Sequence, residues 1–441
     1  MPSARQHSTC GPRNALHKAA FLGSIRSTLA LLSQGSVDIN QGCEDGSTPL
    51  MLACFNGSPG VVRALLDAGA ERSLAKEDGI TALFTAAQYG HLAVTKILAE
   101  AGADLEAPVC DGGTSLHVAA EEGHATVIGA LVDAGAKTGS RRWDGATPLY
   151  LAAREGRTDT VRVLLRARAD PLLAFTNPQS GEHFVPLDTA SMFGHSGVVR
   201  ELLQQVGIRG CGGATGGLRA FCLASMNQRM EAMALLADAG VVDTGAGALL
   251  GAVEYGHEEP ARFLVKRFGE MSASGRAYVE ARDALGRTPM LLSLVACRPC
   301  SPRIVRLLID AGADTSASVR AETAGRVALI PPLAYVTFKL ALPAESTTLT
   351  EQQRQTYEAI RSLLLREAAV HATSWVWPRV RDAAPTTTRA AEGSAKTKTP
   401  LGMTLPTLRR RTESRRRALL WTMFRHSSKN PERAHQTRKV A

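Results

Sequence analysis

Residues 79–104 read GITALFTAAQYGHLAVTKILAEAGAD, and the same skeleton returns on either side at a fixed interval. Thr48, Thr81, Thr114 and Thr147 stand 33 residues apart and open the runs Thr48-Pro49-Leu50, Thr81-Ala82-Leu83, Thr114-Ser115-Leu116 and Thr147-Pro148-Leu149. Asp-Gly precedes each (Asp45-Gly46, Asp78-Gly79, Asp111-Gly112, Asp144-Gly145), and 17 residues after each Thr comes an apolar pair: Leu65-Leu66, Leu98-Ala99, Leu131-Val132, Leu164-Leu165. Gly69, Gly102 and Gly135 close three of the copies. A period of this length marks a stack of small units rather than separate globular domains.

Each recurring residue has a physical task. Asp-Gly supplies a tight turn. Thr caps a first helix, and Pro is tolerated at its first position because its missing N–H would be unpaired there anyway. The Ala pairs Ala86-Ala87, Ala119-Ala120 and Ala152-Ala153 let helices approach closely. Gly90 and Gly123 turn the chain into a second helix whose apolar pair packs inward. Gly-Ala at the end is a left-handed helix stop.

The pattern Asp-Gly-x-Thr-Pro-Leu-His-x-Ala-Ala-x-x-Gly-His, followed by a Val/Leu helix and Gly-Ala, resembles the ankyrin repeat. The resemblance implies an all-α ankyrin repeat solenoid, built of helix-turn-helix pairs with β-turn fingers. Weaker copies start at Asn14-Ala15-Leu16-His17, Val185-Pro186-Leu187, Leu218, Gly247, Thr288-Pro289-Met290 and Pro331-Pro332-Leu333. The finger around Asn177–Gly181 is lengthened by about five residues, and Thr350 with Gln353 forms a capping-box pattern for a closing helix. The expected organisation is a disordered N-terminus at 1–12 and about ten repeats over 13–375, sharpest at 46–170. A low-complexity linker at 376–403 and a basic tail at 404–441 follow, the tail disordered apart from an amphipathic helix.

Composition agrees with a folded chain: 44% hydrophobic and 21% charged, with aromatics at only 5%, so the core must come from Ala, Leu and Val. The net charge of +10 is unevenly spread. Residues 379–441 carry 16 Lys and Arg against four acids, which leaves the rest slightly acidic. Met1 to Arg13 is polar, so no secretory leader is expected, and no apolar run is long enough to span a membrane. The eight cysteines show no regular framework and read as reduced thiols of a cytoplasmic or nuclear protein.

No pattern calls for catalysis. His17 and His117 follow the repeat Leu, while His91, His124, His195 and His257 follow the mid-repeat Gly. The resemblance assigns both positions to hydrogen bonds between neighbouring units. Cys297-Arg298-Pro299-Cys300 has the spacing of a zinc half-site but lacks a second pair, and reads as thiols in a turn. Gly210–Gly217 (GCGGATGG) lacks the Lys-Ser/Thr of a phosphate loop and reads as a degraded finger. No nucleophile elbow, kinase set or His-Glu-x-x-His occurs. No enzyme, cofactor or metal is expected.

The resemblance implies that partners dock on finger tips and on the exposed ends of first helices, the concave face of the family. Carried onto this chain, the helix-end residues are Phe55, Asn56, Gln88, Tyr89, Glu121, Glu122, Arg154, Glu155, Met192 and Phe193, with Arg141, Arg142 and Trp143 at one finger tip. The expected function is a monomeric protein–protein interaction scaffold or adaptor with a partner protein of unknown identity. Two other readings stand beside it. The tail places Arg409, Arg410, Arg411, Arg415, Arg416 and Arg417 ahead of Leu420, Trp421 and Phe424, the form of a segment that docks on a calmodulin-like protein, anionic lipid or nucleic acid. A substrate receptor of a ubiquitin ligase comes third, with Leu405-Pro406 only a fragment of the adaptor box.

Overall fold

The computed structural model describes residues 15–35, 37–211, 216–269, 275–316, 319–323, 326–341 and 349–370. The readings made for residues 1–12, the linker 376–403 and the tail, including Arg409 to Arg411, Arg415 to Arg417, Leu420, Trp421 and Phe424, lie outside the described residues.

Helices come in pairs. In order they are α1 (Ala15–Phe21) with α2 (Ile25–Ser33), α3 (Pro49–Asn56) with α4 (Pro59–Asp67), α5 (Ala82–Gln88) with α6 (Leu92–Glu100), and α7 (Ser115–Glu122) with α8 (Ala125–Asp133). Then follow α9 (Pro148–Arg154) with α10 (Thr158–Arg166), α11 (Pro186–Phe193) with α12 (Ser196–Cys211), α13 (Leu218–Met226) with α14 (Met230–Asp238), and α15 (Gly247–Tyr255) with α16 (Glu258–Gly269). A short α17 (Gly275–Val279) precedes α18 (Pro289–Ala296) with α19 (Ser301–Asp310), and α20 (Pro332–Ala341) with α21 (Glu351–Val370). First helices pack on first helices of the adjacent pairs, as in α3 on α5 and α5 on α7, and second helices do the same, as in α4 on α6 and α6 on α8. This is the all-α ankyrin solenoid expected from the repeat.

Capping explains where the first helices begin. The hydroxyls of Thr48, Thr81, Thr147 and Thr288 accept from the backbone N–H groups of Met51, Phe84, Tyr150 and Leu291. Each satisfies a donor that the helix itself leaves unpaired. Thr350 and Gln353 close the reciprocal box at the start of α21. Packing explains the apolar pair: Leu65, Leu98, Leu131 and Leu164 are fully buried, whereas Leu66, Ala99, Val132 and Leu165 are only half-buried. One core runs from α1 to α19, and a second joins α18 and α19 to α20 and α21 through Leu294, Val305, Val336, Tyr357 and Ile360.

Two fingers grow into antiparallel hairpins. β1 (Phe175–Thr176) pairs with β2 (His183–Phe184), and β3 (Val319–Thr323) with β4 (Arg326–Ile330). The first matches the lengthened finger; the second has no counterpart in the repeat pattern. The loop Asn177–Glu182 belongs to a separate unit. Within it, Asn177 Oδ1 accepts from the Gln179 N–H at 2.9 Å.

One expectation is corrected. Cys43 is disulfide-bonded, so the cysteines are not all reduced thiols. Pairing depends on which residues meet in space, and linear spacing does not encode that. Cys54, Cys110, Cys222, Cys297 and Cys300 are free. Cys297 and Cys300 do sit in the turn between α18 and α19, where the Cys300 thiol faces the Gly256 carbonyl at 2.7 Å.

The repeat's His position is filled differently in α11. Asp188 stands where His117 stands in α7, one residue after the repeat Leu, and its carboxylate accepts from the Val185 N–H at 3.2 Å. Burial pushes the Asp188 carboxyl up to about 6, against the pull of the Val185 N–H and of Arg219. A carboxyl raised on folding contributes most at low pH, and that contribution is lost as pH rises from about 4 through 6. Asp188→Asn keeps the acceptor without the charge. The variant is therefore expected to melt higher than the wild type at pH 7.5, with the difference shrinking as pH falls below 6. A difference constant with pH would show that the Asp188 carboxyl does not titrate on unfolding.

Candidate protein-binding surface

The helix-end residues are held by a repeated contact that fixes their backbone. The Nε2 atoms of His91, His124 and His195 meet the carbonyls of Phe55, Gln88 and Arg154 at 3.0, 3.0 and 2.9 Å. Arg157 and Arg229 replace histidine in this role and donate to the carbonyls of Glu121 and Met192 at 3.1 and 3.3 Å. His257 continues the row on Met226 at 3.0 Å. Every rung comes from the next helix pair and ends on the last turn of a first helix. The expected scaffold role of these histidines is what the structure shows. At Gly90 the rung needs glycine: φ is +75°, and a Cβ there would lie 2.5 Å from the His124 ring.

On these fixed ends the side chains divide into two groups. Phe21, Phe55 and Tyr89 form a pile across three units. Phe21 stacks on Phe55 at 5.8 Å between ring centres, and Tyr89 meets Phe55 edge-on at 4.6 Å. Burial, with the nearby Glu122 charge, raises the Tyr89 phenol above its ordinary range. All three rings are half-buried. Phe21 was not among the residues expected here, although it holds the same repeat position as Phe55; the weak first copy hid it.

The second group is ionic. Arg154 bonds Glu121 at 2.8 Å and Glu155 at 3.0 Å. Arg142 pairs with Asp111 and reaches Glu121 at 3.9 Å, joining a finger to a helix end. Both arginines are thus braces between units. Arg141 is exposed, with Nη1 at 3.4 Å from the Ala174 carbonyl. Asn56 is exposed and donates to Ser58 at 2.7 Å, while Gln88, Glu122, Met192 and Phe193 are half-buried, Phe193 stacking on His195 at 6.2 Å.

Fingers meet edge to edge, the Cys110 N–H donating to the Asp78 carbonyl at 2.8 Å and the Trp143 N–H to that of Asp111 at 3.0 Å. Glu44, Glu77, Cys110 and Trp143 therefore occupy one row of tips, all exposed. Trp143 is 78% exposed. Its indole lies over Gly112, where a Cβ would come within 2.7 Å of Cδ1. Among the described residues, no group of three or more His, Cys, Asp or Glu is placed to hold a metal ion, and no helix is long and apolar enough to cross a membrane.

The profile of a family described as "Ankyrin repeats (3 copies)" matches residues 3–73, 69–142 and 109–173. The chain carries ankyrin repeats over residues 3–173. Among curated ankyrin-repeat relatives it is 42% identical over 61 residues to protein phosphatase 1 regulatory subunit 27 of Mus musculus, covering 14% of this chain and 39% of that protein. The human protein of the same name is 41% identical over 58 residues, 13% of this chain and 37% of that one. Cortactin-binding protein 2 of Ornithorhynchus anatinus is 41% identical over 69 residues, 14% of this chain and 4% of that one. The chain thus spans well under half the length of each of these relatives. Ankyrin repeats are protein-interaction modules, a family typically without enzymatic activity, and their presence supports a protein-interaction role in general.

Proposed function

We propose that this protein is a non-enzymatic scaffold or adaptor that holds a partner protein on the finger tips and first-helix ends of its first to sixth helix pairs. The observation that carries the reading is an aromatic surface on a rigid frame. The carbonyl rungs immobilise the backbone beneath Phe55 and Gln88, the Phe21–Phe55–Tyr89 pile crosses three units, and Trp143 stands exposed at a finger tip. Large aromatic side chains that need little ordering on binding are the usual anchors of an interface.

Protein phosphatase 1 is the first partner to test, because two of the relatives are named as its regulatory subunits. Combining Tyr89→Ala with Trp143→Ala is expected to weaken binding of the cognate partner by at least about tenfold, the scale of a lost anchor. The melting temperature should change little, since neither ring belongs to the fully buried core. Undiminished binding by the folded double variant would place the partner on another face.

A further inference from the structure

We infer that the occupant of this face is a basic protein segment, rich in arginine or lysine and carrying apolar anchors. The inference rests on the docking reading above and adds the chemistry of the partner.

Lys76 is bound to Asp45 at 2.9 Å, Arg154 to Glu121 and Glu155, and Arg142 to Asp111. An acidic partner would have to break these pairs to reach those cations, which leaves it Arg141, exposed at one finger tip. A basic partner meets a different surface. Glu44 and Glu77 stand exposed on neighbouring finger tips, with no ion pair to either among the described residues. On the helix ends, the Glu122 charge reaches Tyr89. Aromatic faces beside carboxylates are a surface for guanidinium and ammonium groups, the rings through their quadrupole and the carboxylates through charge-assisted hydrogen bonds. The pile of Phe21, Phe55 and Tyr89 and the exposed Trp143 indole take the apolar side chains of the same segment. Charge decides between occupants here. An acidic or purely apolar peptide leaves Glu44 and Glu77 opposed or unmatched, and like charges brought together across an interface are costly.

The test uses the full chain and a labelled 14-residue peptide of alternating arginine and leucine, with binding followed by fluorescence anisotropy at two salt concentrations. Combining Glu44→Lys with Glu77→Lys is expected to weaken binding about tenfold and to flatten its salt dependence, as loss of two exposed attractions and gain of two repulsions requires. The pair Glu44→Gln and Glu77→Gln should fall between wild type and reversal. Circular dichroism confirms that the variants fold, since both positions are exposed. Unchanged or tighter binding by the lysine variant overturns the inference. If that result comes while Tyr89→Ala with Trp143→Ala still weakens the cognate partner, the docking face survives and only its basic occupant is lost. If neither set of substitutions matters, the docking reading falls with it.

Discussion

Acidifying the protein from pH 6.5 to about pH 4 is expected to remove about 3 kcal/mol of stability through His117 alone. The ring is buried between two units, with all but 2% of its surface covered. Its Nδ1 accepts from the Thr114 N–H at 3.1 Å, at the start of α7, and its Nε2 faces the carbonyls of Ser140 and Ala146 at 3.0 and 3.3 Å in the next finger. Those partners define the neutral tautomer: Nε2 carries the proton and Nδ1 is an acceptor. A second proton on Nδ1 would point at an N–H. Burial above all, with the Arg142 charge, holds the imidazole down to about 4. Between 6.5 and 4 the unfolded chain therefore takes up a proton that the folded chain refuses, and stability falls as pH falls. This is opposite in sign to Asp188, although the two side chains occupy the same place in their repeats. Burial also lowers the imidazoles of His17 and His257, in the same sense. His117→Gln preserves the capping box without a titrating group. Urea unfolding at pH 7 and pH 4.5 should show a smaller pH loss in this variant; an identical loss would exclude His117 as the cause.

Gly90→Ala is expected to cost about 2–3 kcal/mol. An L-residue in left-handed backbone costs about 1–2 kcal/mol, and the displaced His124 rung about 1 kcal/mol more. Gly135→Ala is the matched control. Its φ is also positive, at +101°, but no atom lies within 4 Å of the new Cβ. It should cost only the backbone share, and the difference between the two isolates the rung. Equal costs would mean that the His124 contact adds nothing. The protein supplies a counterpart of its own: Gln228, at φ +58°, holds the mid-repeat position that glycine holds elsewhere, pressed against His257.

Pairs two to five were legible in the sequence because Asp-Gly, Thr, the apolar pair and Gly act within a few residues of one another, and the 33-residue period repeats them. The copies starting at Leu218 and Gly247 were harder to place because their first helices follow Gly217 and Ala246 rather than a capping Thr. The β3–β4 hairpin was missed because nothing in the repeat calls for it. Candidate surface positions followed from register, but partnerships did not. That Arg142 spans Asp111 and Glu121, or that Arg154 holds Glu121, depends on which side-chain tips converge across the stack. For the same reason the arginines at 157 and 229 could not be read as stand-ins for histidine until their shared carbonyl targets were seen.

The rungs between units also have a mechanical meaning. Each joins one helix pair to the next, so a pull applied at the two ends loads them in series, and every interface bears the whole force in turn. Such an assembly yields at its weakest link while the others stay closed. Of the four L-residues held in left-handed backbone among the described residues, Gln228, Ala246 and Cys297 lie at the interfaces around α15, and the fourth, Arg168, follows α10. Tension would therefore part the array there first, leaving the aromatic face on the earlier pairs intact and still able to hold what is bound to it.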